Sequence, residues 1–410
     1  MKLPNFIYRF SSPKHFYAMS GALLPWIAAS ALGLMILGLY VGFALAPTHS
    51  EQGESYRIIF LHVPAASNSM MIYMVMATSG AIFLIWRIKL ADTIAAAAAP
   101  IGAAFTFLAL VTGSIWGKPT WGTWWQWDAR LTSELILLFL YFGYMALRAA
   151  MDDRQNAARS SAVLALVGVV NIPIIHFSVE WWNTLHQGAT ISKIAKPSME
   201  GTMLTSMLTM MIALSLFFAL VTLIRARGLT LEQDSRGNWV RDLPTIQLRL
   251  PHTLIPLLVV AAIGYHVTTT EKETILSPSQ LTTATGEVLV RGEVRSIHSE
   301  GNQHRILLSD QSSQTMVTFS GNLPQQLRTH WGAEVRGNLV QSQGIEPIAH
   351  GQQIEARSIA ALNIRDHTSY LLAAYGIALV VLLLNLLGAM RSASEARKNI
   401  QRKIRQESNE

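Results

Sequence analysis

The chain has 410 residues, half of them hydrophobic and 14% charged, with a formal net charge of +7 and no cysteine. Several apolar runs are long enough to cross about 30 Å of hydrocarbon, which excludes an ordinary soluble domain and indicates a polytopic membrane protein. The missing cysteine excludes structural disulfides, thiolate metal ligands and thiol redox chemistry.

Spans are expected near 21–46, 66–86, 94–116, 131–147, 161–177, 203–224, 252–269 and 368–390. The first apolar run is of spanning length and lacks a small-residue cleavage motif, so no cleavable signal peptide is expected. Orientation follows from the basic residues of the short loops. Lys2, Arg9 and Lys14 precede the first span, Arg87 and Lys89 follow the second, and Arg148, Arg154 and Arg159 follow the fourth. Arg391, Arg397, Lys398, Arg402, Lys403 and Arg405 follow the last, whereas the other face carries only Arg57, Lys118, Arg130, Lys193 and Lys196 in its short loops. Both termini are therefore expected in the cytoplasm. The net positive charge is then a topological signal with anionic lipid as its natural neighbour, and nucleic acid is not an expected partner.

Between the third and fourth expected spans lies Trp116–Asp128, WGKPTWGTWWQWD, with Trp116, Trp121, Trp124, Trp125 and Trp127. Trp181 and Trp182 follow the fifth span in HFSVEWWNTLHQ, so seven of the chain's eleven tryptophans fall in two expected loops on the outer face. An interfacial belt is one reading, but a belt distributes its rings over both membrane faces.

The alanine run 95–99 suits close helix packing. After the sixth span, RARGLTLEQDSRGNWVRDLPTIQLR reads as an irregular linker. An outward segment of different composition then alternates short strands with turns: GEVLVRGEVRSI, HRILLSD, QTMVTFSG, GAEVRGNLV and QQIEARSIAAL. Five such strands predict a compact β-barrel of the OB type. The chain re-enters the membrane near Tyr370 and ends in a basic helical tail. The predicted fold is thus a six-helix bundle with a small outward β-barrel held between two further transmembrane helices.

Three histidines stand near outward span ends: His62 in IIFLHVPAAS, His176 in NIPIIHFS and His186 in WWNTLHQ. Ionisable groups so placed are functional candidates. His62 and His186 flank the tryptophan loop in sequence, so two neutral imidazoles could approach one metal from opposite sides. Two nitrogens suit an iron already held by a macrocycle, and broad indole faces suit a flat apolar ligand, a combination that specifies haem better than a bare ion. Without cysteine the CxxCH attachment motif cannot exist, so self-attached c-type haem is excluded and non-covalent haem b is expected. His176 reads as a packed, hydrogen-bonded helix-end residue. Asp128 and Arg130 have two open readings. One is a helix cap with an interfacial ion pair; the other gives Arg130 a propionate and lets Asp128 anchor the loop or orient an imidazole.

These motifs resemble the tryptophan-rich "WWD" signature of haem-handling proteins. LHVPAA before WGKPTWGTWWQWD and NIPIIHFSVEWWNTLHQ after it are similar to CcmC, the C component of system I cytochrome c maturation. The resemblance covers residues 1–245, with the WWD loop at 116–130. It implies a haem-presenting protein of the bacterial inner membrane, not an enzyme, that loads a periplasmic haem chaperone (CcmE) beside an ATP-binding-cassette pair (CcmA and CcmB). It further implies His62 and His186 as axial ligands and Trp121, Trp124, Trp125, Trp127 and Asp128 as the platform, to which Trp181, Trp182 and Arg130 are added here.

After an anchor at 246–270, residues 271–366 resemble CcmE through ILSPSQL, GEVLVRGEV, LLSDQSSQTMVTFSGNLP and GAEVRGNLV. Asn363 stands where that family carries its haem-capturing histidine, while His367 and Tyr370 have a different spacing. Residues 367–410 resemble the single-span component CcmD. Two other classes stay open on the residues alone. A b-type electron carrier would bury its histidines within facing helices. A solute transporter with an aromatic vestibule would place polar groups or broken helices at the bilayer midplane.

Overall fold

The structure is a computed structural model that describes residues 12–49, 52–182, 184, 186, 199–235, 237–241, 243, 275–276, 287–309, 314–323, 327, 332–341, 352–362 and 367–407. The expected span near 252–269 and Asn363 lie outside these residues.

Eight long helices are described: α1 (Pro13–Tyr40), α2 (Ile59–Trp86), α3 (Lys89–Trp121), α4 (Ala129–Ala149), α5 (Arg154–Gly168), α6 (Asn171–Trp181), α7 (Gly201–Gln233) and α8 (Thr368–Glu407). They make seven stretches long and apolar enough to cross a membrane, with α5 and α6 forming one of them. This is a multi-pass membrane protein. The described residues form two compact units, one within 1–46, 57–262 and 370–410, the other within 47–56 and 263–369.

In the helical unit α3 is the central element, and its alanine run explains why. Ala95, Ala97, Ala98 and Ala99 are all buried, so neighbouring backbones approach closely. Gly102 carries this further, since a Cβ there would stand 2.1 Å from the Tyr141 ring of α4. Several polar groups inside the bundle are paired across helices. Ser69 of α2 donates to the buried Glu134 of α4 at 2.7 Å, Tyr141 donates to the Ser69 carbonyl at 2.7 Å, and Asn171 of α6 donates to the Ser133 carbonyl at 2.8 Å. Arg148 closes the opposite end of α4 with a two-pronged bridge to Asp92 of α3, at 2.5 and 3.1 Å.

Two expectations are corrected here. The segment from Arg225 to Gln233, read as the start of a linker, continues α7, because its Leu229 and Leu231 keep the helix packed: Leu231 joins Tyr17, Val240 and Ile400 in a small core. The tryptophan segment is not all loop either. α3 runs on through Pro119 to Trp121 and stops at Gly122, whose φ of +79° suits a residue without a Cβ. A proline in the last turn is tolerated because only one ladder bond is lost there. The loop is therefore 122–128, with Trp116 and Trp121 on α3 and Trp181 at the end of α6.

The second unit carries a mixed sheet. Its strands are β1 (Ile275–Leu276), β2 (Glu287–Glu300), β3 (Gln303–Ser309), β4 (Gln314–Ser320), β5 (Gly332–Gln341) and β6 (Gln352–Leu362). The five expected strands recur as β2 to β6. Their order is β1-β2-β3-β4-β6-β5, and β2 also pairs with β5, so the pairing returns to its first long strand. β2 serves both neighbours by length, residues 287–293 facing β5 and 293–300 facing β3. Alternating Val290, Val294, Ile306, Leu308, Val317, Val335 and Ile354 form its core.

Candidate functional site

His62 lies in the first turn of α2, and α3 holds its ring on three sides. Gly113 makes the room, because a Cβ there would stand 2.9 Å from His62 Cε1. Trp116 meets the ring edge-on at 5.8 Å between centroids. Thr112 fixes the tautomer: its hydroxyl donates to the Leu108 carbonyl at 2.6 Å, so its oxygen is left to accept from His62 Nδ1–H at 3.2 Å.

His186 follows α6 and is held by Asp128. One carboxylate oxygen caps α4 by accepting from the Leu131 N–H at 2.8 Å. The other accepts from the Thr184 hydroxyl and from His186 Nδ1–H, the latter at 3.3 Å. An ionised carboxylate only accepts, so here too the imidazole proton sits on Nδ1. One oxygen of Asp128 thus caps a helix and the other faces an imidazole, while no direct Asp128–Arg130 ion pair forms. Burial by itself would push the Asp128 carboxyl up, but the hydrogen bonds from His186, Thr184 and Leu131 outweigh it and hold the group down at about 2. Trp121 completes the contact, its ring 4.8 Å from that of His186.

The contacts that hold His186 and Thr112's contact with His62 are all made through Nδ1, and the His62 ring also faces the Ala109 carbonyl. The two histidines come from the same end of the bundle, and His62 lies within electrostatic reach of His186 and Arg130. The Arg130 guanidinium is attracted to the Glu134 and Asp128 carboxylates without a direct hydrogen bond to either. Of the tryptophans in the two segments, Trp124, Trp127, Trp181 and Trp182 are each at least half exposed. Trp125 is packed against Trp127, and its indole N–H is buried without an acceptor among the described residues. Tyr370 of α8 stands 6.2 Å from Trp124 between ring centroids.

No group of three or more His, Asp or Glu side chains suited to a bare metal ion occurs among the described residues. Two imidazoles beside uncovered indole faces, a cation and an orphan N–H donor instead suit a flat, acidic, iron-bearing molecule.

A family model described as Heme exporter protein C matches residues 6–241. The chain belongs to the Heme exporter protein C family. The Heme exporter protein C of Escherichia coli (strain K12) is 50% identical over 238 residues, 58% of this chain and 96% of that protein. Those of Haemophilus influenzae and Bradyrhizobium diazoefficiens are 47% and 50% identical, over 58% and 55% of this chain and 97% and 86% of their own lengths. The family region contains every candidate site residue, from His62 to His186.

His176 departs from its expected role. It is exposed on α6 and its ring meets Phe177 edge-on, so it is neither packed nor placed with the other two histidines. Thr112, Gly113 and Thr184 were not legible as site residues. Gly113 carries the one available signal, a glycine inside a helix pattern one turn before Trp116, which marks a close approach.

Proposed function

We propose that this chain binds haem b non-covalently on the outward face of the bacterial inner membrane and passes it to a periplasmic haem chaperone during c-type cytochrome maturation. The observation that carries this reading is the pair of imidazoles, each with Nδ1–H committed to an oxygen, which leaves its lone pair on Nε2. Asp128 and Thr112 set those tautomers, as an outer acceptor does for a metal-bound histidine. His62 and His186 are the axial ligands, and Trp121, Trp124, Trp125, Trp127, Trp181 and Trp182 form the apolar platform. Arg130 takes a propionate as a charge-assisted pair.

Haem is cargo in this reading, and no bond within it is broken. The chain is a transfer protein rather than an enzyme. Transfer requires one axial histidine to yield to a ligand from the acceptor. Both termini are cytoplasmic, and an ATP-binding-cassette pair is the expected partner. The cyclic strand pairing supports reading 271–366 as an OB-like module related to the CcmE chaperone, and α8 as a CcmD-like helix fused behind it. Asn363 argues that this module docks haem proteins rather than capturing haem covalently.

The test is the visible spectrum and pyridine haemochrome of the detergent-purified protein, wild type beside a His62→Ala, His186→Ala double variant. A b-type signal that is lost or converted in the variant is the expected result. An unchanged spectrum in the double variant would remove both histidines as ligands, and a c-type signal would move haem to the β module.

A further inference from the structure

One face of α6 carries an aromatic stripe that runs beyond the candidate site. Asn171, Ile175 and Ser178 are buried, and Asn171 ties their side of the helix to α4. Pro173, His176, Phe177, Glu180 and Trp181 are exposed, at intervals of three and four that place them together on another face. α5 and α6 together make one stretch long and apolar enough to span a membrane, so at this depth an exposed face meets lipid. His176 lies five residues before Trp181 at the helix end, about 7.5 Å deeper along the axis.

The rings of this stripe touch in series. His176 meets Phe177 edge-on at 4.8 Å between centroids, Phe177 stacks on Trp181 at 5.5 Å with 24° between their planes, and Trp181 meets Trp182 edge-on at 5.7 Å. The stripe therefore leads from His176 to two indoles of the proposed platform. No hydrogen bond joins the His176 ring to a described residue.

Ordinary membrane placement does not account for the imidazole. Ionisable side chains at membrane depth face the bundle or a polar cavity, because hydrocarbon leaves their polar atoms unsatisfied. An interfacial belt explains Trp181 and Trp182, whose N–H groups reach headgroups, but not a histidine more than a turn deeper. A partner helix would be met by small residues, and this face offers bulky rings instead. An imidazole beside stacked aromatic rings suits a flat apolar molecule that carries a metal.

We propose that this stripe is a second haem site, on the lipid-facing side of α6, through which haem dissolved in the bilayer reaches the platform. The porphyrin packs against Phe177 and Trp181, and a nitrogen of His176 ligates the iron. The stripe has no Lys or Arg, and Glu180 repels a propionate, whereas Arg130 attracts one at the platform. One imidazole without a cation holds haem more weakly than two imidazoles with one, so occupancy shifts towards His62 and His186. This inference rests on the haem reading proposed above.

The test uses the full chain in phosphatidylcholine proteoliposomes, titrated with haem and read by visible spectroscopy. In the His62→Ala, His186→Ala double variant a residual b-type signal with a single-imidazole spectrum is expected. Adding His176→Ala should abolish it, and adding Phe177→Leu should weaken haem binding about two- to tenfold, the range of one aromatic contact. With both platform histidines present, His176→Ala should load haem several-fold more slowly from the bilayer yet reach the wild-type spectrum, occupancy and melting temperature. His176 and Phe177 are both exposed, so neither change removes core packing. No residual signal in the double variant, a signal that persists without His176, or an unchanged loading rate overturns the second site. Any of these with haem bound by wild type overturns this inference alone, whereas no haem in wild type overturns the platform and this inference together.

Discussion

Replacing Asp128 by asparagine separates its two duties. Asparagine is as good a helix cap as aspartate, so the bond from the Leu131 N–H survives. The second oxygen, however, becomes an NH2 group facing Thr184 and His186, and a donor now meets a donor. The imidazole answers by moving its proton to Nε2, which removes the lone pair that would bind iron. Haem retention is therefore expected to fall about 10–100-fold, the range found when a ligating histidine loses its outer acceptor. The melting temperature should change far less. Asp128→Ala should show the same haem defect plus loss of the cap, about 1 kcal/mol of stability. Acidification gives the sign. With its folded value depressed to about 2, the carboxylate contributes stability that is complete above its ordinary value of 3.8 and is lost as pH falls through about 2. The contact is thus intact at neutral pH, where the comparison is made. Haem titrations, visible spectra and melting curves of the three proteins decide the matter. Wild-type haem retention and spectrum in Asp128→Asn would refute the tautomer argument and leave Asp128 as a cap alone.

Gly113→Ala should displace the His62 ring, since the new methyl would fall 2.9 Å from Cε1, and the visible spectrum of the haem-loaded protein should change more than its melting temperature. Gly102→Ala should do the reverse: its methyl would fall 2.1 Å from a Tyr141 ring pinned through its hydroxyl to Ser69, costing on the order of 1–3 kcal/mol in thermal or denaturant unfolding. Thr184→Val should speed haem loss to apomyoglobin several-fold more than Thr112→Val, as followed by absorbance.

Much of the helical fold was legible because membrane spans announce themselves by length, and all five long strands because their alternation is regular. Helix ends were less legible. Composition marks where apolar character stops, but α3 and α7 both outrun their apolar cores, α3 through a proline in its last turn and α7 through Arg225–Gln233. The candidate site was visible as residue types, two histidines among crowded tryptophans. What fixes those histidines was not. Thr112 and Thr184 carry no distinguishing pattern, and their roles depend on contacts between residues 50 positions apart for His62 and Thr112 and 56 apart for Thr184 and Asp128. His176 was misjudged for a related reason: a histidine on an apolar helix can face the bundle or the lipid, and periodicity over the short α6 does not say which.

The two histidines are held in unequal ways, and that inequality suits transfer better than storage. His62 is part of α2, and the groups that confine it, Thr112, Gly113 and Trp116, all belong to α3. Moving its ring means separating two packed helices. His186 belongs to no helix; its ring is held by one carboxylate oxygen and one indole, and its backbone N–H by the Thr184 hydroxyl at 3.1 Å. Charge-assisted hydrogen bonds of this kind contribute about 1.5–3 kcal/mol each and break one at a time, whereas packed cores deform little. On the proposed reading, His186 would accordingly be the ligand to leave first when an acceptor offers its own. Asp128 would remain as the cap of α4 through its bond from the Leu131 N–H, so the proposed platform would keep its shape during transfer.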